Sequence, residues 1–147
     1  MPANVFHYKR RVEFCETDAA GIVHFSAILQ YAEQAEHALL RKLGSSVLVS
    51  IQSEGEPIRA ISWPRVKITS EFHGSAKFED ELDIAIYVSR LGNKSVTYAY
   101  RITRSTEPIC SGSSTCVCCE IDASGRISSV EIPPRLKESL RAYAAPS

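Results

Sequence analysis

The chain has 147 residues, 44% of them hydrophobic, and its 17 Lys plus Arg balance 17 Asp plus Glu. That length forms one domain with its own core, residues 1–147, and leaves no room for a second of comparable size. Zero formal net charge excludes a field drawing the whole molecule to nucleic acid or an anionic membrane, so an anionic ligand must be met by a local basic patch.

The segment Met1 to Arg11 lacks the apolar run of a signal peptide, and no stretch reaches the roughly 18 consecutive apolar residues of a membrane span, so a cytoplasmic protein is expected. From Phe6 onward, Phe6, Tyr8, Val12 and Phe14 fall on one face of an extended segment, opposite His7, Lys9, Arg11 and Glu13, which predicts a half-buried strand ending near Cys15. Glu16 to Gly21 reads as a loop. Ser26 is a candidate N-cap for a helix over about Ala27 to Leu43, in which Ile28, Tyr31, Ala32, Ala35, Leu39 and Leu43 recur at helical spacing before Gly44 stops it.

Gly44 to Pro57 is polar and reads as a connecting loop, after which every segment looks extended. Val66, Ile68 and Phe72 alternate in one strand. Leu82, Ile84, Ile86 and Val88 mark the next, and Val96, Tyr98, Tyr100 and Ile102 a third, with Gly92-Asn93 turning between them. A fourth runs from about Ile109 to Ile121, Asp122 to Gly125 forms a turn, and Pro133-Pro134 opens a short helix through Leu136 and Leu140. Pro64 argues for an edge or bulge, because proline cannot donate to a ladder.

One long helix can bury its apolar stripe here only across a face of the antiparallel sheet, so the expected class is α+β, one helix on about five strands. The sheet's other face and free edge then favour a homodimer or homotetramer. Cys116, Cys118 and Cys119 lack the second Cys pair or the His pair of a zinc site, and neighbouring strand residues point to opposite faces; reduced thiols and no metal are expected.

The loop before the long helix holds the chemistry. Thr17-Asp18-Ala19-Ala20-Gly21 sets a carboxylate beside the helix's positive end, where unpaired N–H groups near His24 and Phe25 can stabilise developing negative charge. Asp18 could supply a nucleophile or general base, or could merely close an Asx-turn with Gly21 at positive φ. His24 could orient water or titrate near neutral pH, or simply bond to backbone. Glu33 and Glu36 lie on the helix, on a side that could equally be solvated or face a partner. Ser111 to Thr115 is a strand of small residues, which permits close packing or leaves room for an acyl chain. Arg90 and Lys94 flank the Leu91-Gly92-Asn93 turn as candidates for phosphate contact, with Arg59, Arg65 and Lys67 as competitors.

The run Val12-Glu13-Phe14-Cys15-Glu16-Thr17-Asp18-Ala19-Ala20-Gly21-Ile22-Val23-His24-Phe25 resembles the signature of hot-dog-fold thioesterases of the 4-hydroxybenzoyl-CoA type, and the element order matches that fold along nearly the whole chain. Phe78-Glu79-Asp80-Glu81-Leu82 is similar to a stretch of related acyl-CoA thioesterases, including those acting on 1,4-dihydroxy-2-naphthoyl-CoA. The resemblance implies acyl-CoA thioester hydrolysis, with Asp18 as the catalytic carboxylate, the Phe25 backbone N–H on the thioester oxygen, and Thr17 and Gly21 at the substrate. It implies no cofactor beyond the coenzyme A of the substrate. Many relatives carry Tyr where this chain has His24 and Ile28, which bears on acyl specificity. A hydratase or dehydratase on the same fold, using His24 with Asp18, and a non-catalytic acyl-binding domain are the alternatives.

Overall fold

The computed structural model describes residues 2, 4–51 and 54–146. In chain order the elements are β1 (Phe6–Arg11), a 3-10 turn (Phe14–Glu16), α1 (Phe25–Lys42), β2 (Leu48–Ile51), β3 (Arg59–Ser62), β4 (Arg65–Phe72), β5 (Glu81–Leu91), β6 (Ser95–Arg104), β7 (Glu107–Val117), β8 (Cys119–Ile121), β9 (Ile127–Ser129) and α2 (Pro134–Arg141). A five-stranded antiparallel sheet in the order β1-β5-β6-β7-β4 carries α1 on one face, and a small sheet β2-β3-β8-β9 continues beside it. This is the expected α+β hot-dog architecture, with a second sheet added. No helix among the described residues is long and apolar enough to cross a membrane.

The core forms where the period of the sheet meets the period of the helix. Leu82, Ile84, Ile86 and Val88 of β5 point to one face, and antiparallel register sets Ile84 beside Ile102, Ile86 beside Tyr100 and Val88 beside Tyr98. Ala27, Ile28, Tyr31, Ala32, Ala35, Leu39 and Leu40 of α1 cover them. Each fully buried large aliphatic side chain contributes about 1.5–3 kcal/mol, so this interface dominates the fold.

Several boundaries differ from the sequence reading. The first strand ends at Arg11, since Glu13 to Glu16 curl into a 3-10 turn: the Glu13 N–H donates to Glu16 Oε1 at 2.8 Å and the Glu16 N–H to the Glu13 carbonyl at 3.0 Å. The turn breaks the alternation, so Val12 is buried while Phe14 is 74% exposed. The N-cap of α1 is His24, not Ser26; its Nδ1 accepts from the Ser26 N–H at 3.2 Å, and the helix starts at Phe25. At the other end Leu43 is the C-cap and Gly44 takes φ +76°, as its stop role requires. The loop expected over Gly44 to Pro57 contains β2.

The expected fourth strand breaks at Cys118. Its N–H donates to the Lys94 carbonyl at 2.7 Å and its own carbonyl accepts from the Val130 N–H at 2.9 Å, so the chain leaves the large sheet there and enters the small one. Pro64 immediately precedes edge strand β4, which bulges between Arg65 and Lys67, as a proline at an edge predicts. Gly112 is the small residue that matters in β7. Tyr100 lies across it to donate to the Thr69 carbonyl at 2.8 Å and to bond Ser70, and a Cβ on Gly112 would meet Tyr100 Oη at 2.6 Å. All five cysteines are free thiols, and burial pushes Cys116 up to about 12 and Cys118 up to about 11.

Candidate active site

The loop carrying Asp18 is closed by its own backbone. The Asp18 N–H donates to the Ile22 carbonyl at 2.8 Å, the Gly21 N–H to the Asp18 carbonyl at 3.0 Å, and Thr17 bridges Val23. Gly21 has φ +78° with nothing within 4 Å of a Cβ built on it, so conformation rather than crowding calls for glycine there. The Asp18 carboxylate completes an Asx-turn, its Oδ1 accepting from the Ala20 N–H at 2.8 Å and the Ile22 N–H at 3.4 Å. Both bonds fall on Oδ1; among the described residues nothing is bonded to Oδ2. The turn-forming and the reactive reading of Asp18 are therefore compatible, one oxygen for each.

Asp18 opens on a cavity of about 310 Å³ walled by Ile22, Val23, His24, Phe25, Ile28 and, from across the sheet, Phe72, Gly74, Ser75, Ala76 and Ile109. The Phe25 N–H is the first of α1 and makes no hydrogen bond among the described residues, as the opening turn of a helix requires. Two residues that line one cavity thus carry a carboxylate and an unbonded helix N–H, the pair of groups that attack on a polarised carbonyl needs. His24 also lines the cavity, but its Nδ1 is taken by the helix cap and by Ser26 Oγ at 2.7 Å. That is the backbone-bonded role, and it leaves only Nε2 for a ligand.

Other sequence candidates fall elsewhere. Thr17 and Gly21 build the loop and do not wall the cavity; Thr17 Oγ1 donates to the Phe14 carbonyl at 2.7 Å. Arg90 and Lys94 are exposed at the opposite end of the sheet. Arg90 pairs with Thr97 and Thr97 with Thr115, six residues along β7 from Ile109, or roughly 20 Å of strand, so one chain does not bring them to Asp18. Arg59 is paired with Glu120 at 3.1 Å. Arg65 is committed to Glu36 at 2.7 Å and Glu33 at 3.1 Å.

Glu36 is therefore neither solvated nor partner-facing within this chain. It is buried, accepts from Arg65 and from the Cys116 thiol at 3.2 Å, and burial, only partly offset by Arg65, pushes its carboxyl above the usual range. The acidic stretch at Phe78 to Leu82 is structural too. Asp80 accepts from the Lys77 N–H at 2.9 Å and from Arg104 at 2.6 Å, which together hold its carboxyl low.

Phe72, Gly74 to Ala76 and Ile109 were not foreseen. They reach the cavity only because β4 and β7 pair, with Phe72 opposite Cys110, and because the Val23 N–H donates to the Ala76 carbonyl at 2.8 Å. A larger cleft of about 710 Å³ beside β1 is lined by Lys9, Arg10, Arg11, Glu81 and Asp83. Most of its charges are already paired, Arg10 with Glu16, Arg11 with Glu81 and Lys9 with Asp83, so size does not select the site.

Comparison with known proteins identifies the family. The family model for the thioesterase superfamily matches residues 20–111. A 1,4-dihydroxy-2-naphthoyl-CoA hydrolase of Synechococcus elongatus is 24% identical over 139 residues, covering 95% of this chain and 97% of the relative. Among solved structures, the gentisyl-coenzyme A thioesterase BH1999 superposes with a TM-score of 0.75 at 26% identity, over 91% of this chain and 98% of that one. An aspartate-to-asparagine mutant of 4-hydroxybenzoyl-CoA thioesterase complexed with 4-hydroxybenzoyl-CoA superposes at 0.78 and 19% identity, over 94% and 99%. With the family model matched over more than half of its length, and with thioester hydrolases among both its relatives and its structural neighbours, this chain belongs to the thioesterase superfamily and is a thioester hydrolase.

Proposed function

We propose that the chain hydrolyses acyl-CoA thioesters, with Asp18 as nucleophile or general base and the Phe25 N–H as oxyanion donor. The observation that carries this reading is the asymmetry at Asp18, whose Oδ1 is fixed by two backbone N–H groups while no described group bonds Oδ2, in a residue that lines the same cavity as Phe25. With the thioester carbonyl oxygen on the Phe25 N–H, Oδ2 either adds to the carbonyl carbon or takes a proton from the water that does. The C–S bond then breaks, and coenzyme A leaves as thiolate and takes up a proton. Along the nucleophilic route, water afterwards cleaves the acyl-aspartyl anhydride. The scheme needs no cofactor beyond the coenzyme A of the substrate.

The acyl group is apolar and, on this reading, aromatic. Ile22, Phe25, Ile28, Phe72 and Ile109 offer rings and branched chains to a flat group, and the named relatives act on or bind aromatic acyl-CoAs. The coenzyme's phosphates fall to basic groups outside this cavity, of which exposed Arg90 and Lys94 of a second subunit are our candidates. The test is free thiol release from benzoyl-, hydroxybenzoyl-, acetyl- and palmitoyl-CoA, with Asp18→Asn as control. An aryl preference of tenfold or more in kcat/KM, abolished in Asp18→Asn, is expected. Asp18-independent turnover would move the chemistry elsewhere, and a non-catalytic acyl-binding domain would release no thiol at all.

A further inference from the structure

Glu16 lies two residues before Asp18, and nothing in the hydrolytic scheme uses it. Its carboxylate, with a side chain only 11% exposed, nevertheless accepts four hydrogen bonds. Arg10 grips it with both terminal nitrogens, Nη2 to Oε2 at 2.6 Å and Nη1 to Oε1 at 3.1 Å. The Tyr31 hydroxyl of α1 and the Glu13 N–H each reach Oε1 at 2.8 Å. Burial, and then the bond to Glu16, raise the Tyr31 hydroxyl far above its ordinary range, so it stays a donor. Arg10 in turn stacks over the Tyr31 ring at 4.9 Å and donates to Gln34 at 3.0 Å. The Glu16 backbone carbonyl accepts from the His24 N–H at 2.9 Å.

One residue therefore ties β1, the 3-10 turn, the body of α1 and the helix cap together. Asp18 and Phe25, the two reacting groups of the proposed site, hang from either side of the Glu16–His24 clasp. We propose that Glu16 is a positioning residue for thioester hydrolysis, fixing the Asp18 carboxylate relative to the Phe25 N–H through this clasp and through its anchorage on Arg10 and Tyr31. The inference rests on the reading of Asp18 and Phe25 given above. Its chemical basis is that a reacting pair loses turnover steeply when its separation drifts, whereas the walls supplied by Ile28, Phe72 and Ile109, which the clasp does not carry, still hold the acyl group. A neutral amide at position 16 keeps the shape but turns an N–H₂ toward the Arg10 guanidinium, which opens the anchorage without emptying the space.

The experiment compares wild type, Glu16→Gln, Tyr31→Phe, Asp18→Asn and the Asp18→Asn/Glu16→Gln double variant for kcat and KM on the best acyl-CoA, alongside hydrogen exchange of the His24 amide. Glu16→Gln is expected to lower kcat 10- to 100-fold and Tyr31→Phe 3- to 10-fold, each with KM within twofold of wild type. The double variant should turn over no more slowly than Asp18→Asn alone, because Glu16 acts through Asp18. The His24 amide should exchange at least tenfold faster in Glu16→Gln. Wild-type kcat in Glu16→Gln, an additive loss in the double variant, or unchanged exchange at His24 overturns the proposal. Should Glu16→Gln not fold, Tyr31→Phe carries the test, and a wild-type kcat there has the same force. Full turnover in Asp18→Asn would instead refute the reading of Asp18, while the exchange measurement still decides whether the clasp depends on Glu16.

Discussion

On the proposed reading the two carboxylate oxygens of Asp18 have separable duties, and substitution can address them one at a time. Asparagine retains an Oδ1 able to accept from the Ala20 and Ile22 N–H groups, so the loop should persist. A neutral amide neither attacks a thioester nor takes a proton well, so kcat for Asp18→Asn should fall by two orders of magnitude or more, about 3 kcal/mol in the barrier, with the melting temperature unchanged. Asp18→Ala removes both duties and should lose about 1 kcal/mol of stability as well, a fall of roughly 2–4 °C in calorimetry. Equal melting temperatures for the two variants would show that the Asx-turn contributes nothing.

A second residue-scale prediction concerns the buried Glu36–Arg65 pair, where breaking one side is costly because the other is left buried and charged. Arg65→Met should destabilise the protein by about 3–5 kcal/mol. The sign with pH follows from Glu36. Burial raises its folded pKa above the unfolded carboxylate value, so the folded state holds a proton the unfolded state has released, and stability falls as pH rises through that window. Removing Arg65 takes away the partner that lowers this pKa and extends the window upward. The loss of melting temperature in Arg65→Met should therefore be larger at pH 8 than at pH 5, and an equal loss at both would mean that Glu36 does not titrate between them.

Among the elements, Gly112 shows how a strand can depend on the absence of a side chain. The Tyr100 ring crosses β7 at Gly112 to reach β4, and a Cβ there would run into the Thr69 carbonyl as well as Tyr100 Oη. Gly112→Ala should cost about 1–3 kcal/mol, more than a surface strand substitution would, and increase amide exchange along β4 before β5 or β6. The same place shows what a sequence conceals. Alternation in β5 and β6 was legible because both strands have one buried face, and α1 was legible from its apolar period. The strand break at Cys118 and β2 were not, because backbone bonds to distant residues decide them, and the turn at Phe14–Glu16 was not, because its local bonds interrupt a segment whose side chains still alternate. The candidate site divides in the same way. The Asp18 loop and the Phe25 N–H are contiguous in sequence and could be read there, while Phe72, Ala76 and Ile109 arrive through strand pairing. The sequence places the cap on Ser26 rather than His24, because a histidine imidazole rarely takes that place from a serine two residues on.

The whole molecule leaves one long edge open. β1 is short and carries His7, Lys9 and Arg11 on its outer face, whereas β4 presents an eight-residue edge with Val66 and Phe72 exposed. β4 reads Arg-Val-Lys-Ile-Thr-Ser-Glu-Phe, and antiparallel pairing with its own copy about Thr69 would set Lys67 of one chain opposite Glu71 of the other, and Val66 opposite Phe72. Both exposed apolar side chains would be covered, and the cavity at Asp18, of which Phe72 is a wall, would gain a second subunit's surface. A 310 Å³ cavity in one chain is too small to enclose a whole coenzyme A thioester, so activity should require this assembly. Sedimentation should show a dimer or tetramer at assay concentration. Val66→Lys, which sets a further cation beside Arg65 and Lys67 on the edge, should shift the protein toward monomer and lower kcat/KM by tenfold or more while far-ultraviolet dichroism stays native. Glu71→Lys alone should weaken association about tenfold, and the exchange Lys67→Glu with Glu71→Lys should restore it, since only the pairing centred on Thr69 places those two residues opposite each other. A stable monomer with full activity would defeat the assembly altogether, and a charge exchange that fails to restore association would defeat this register.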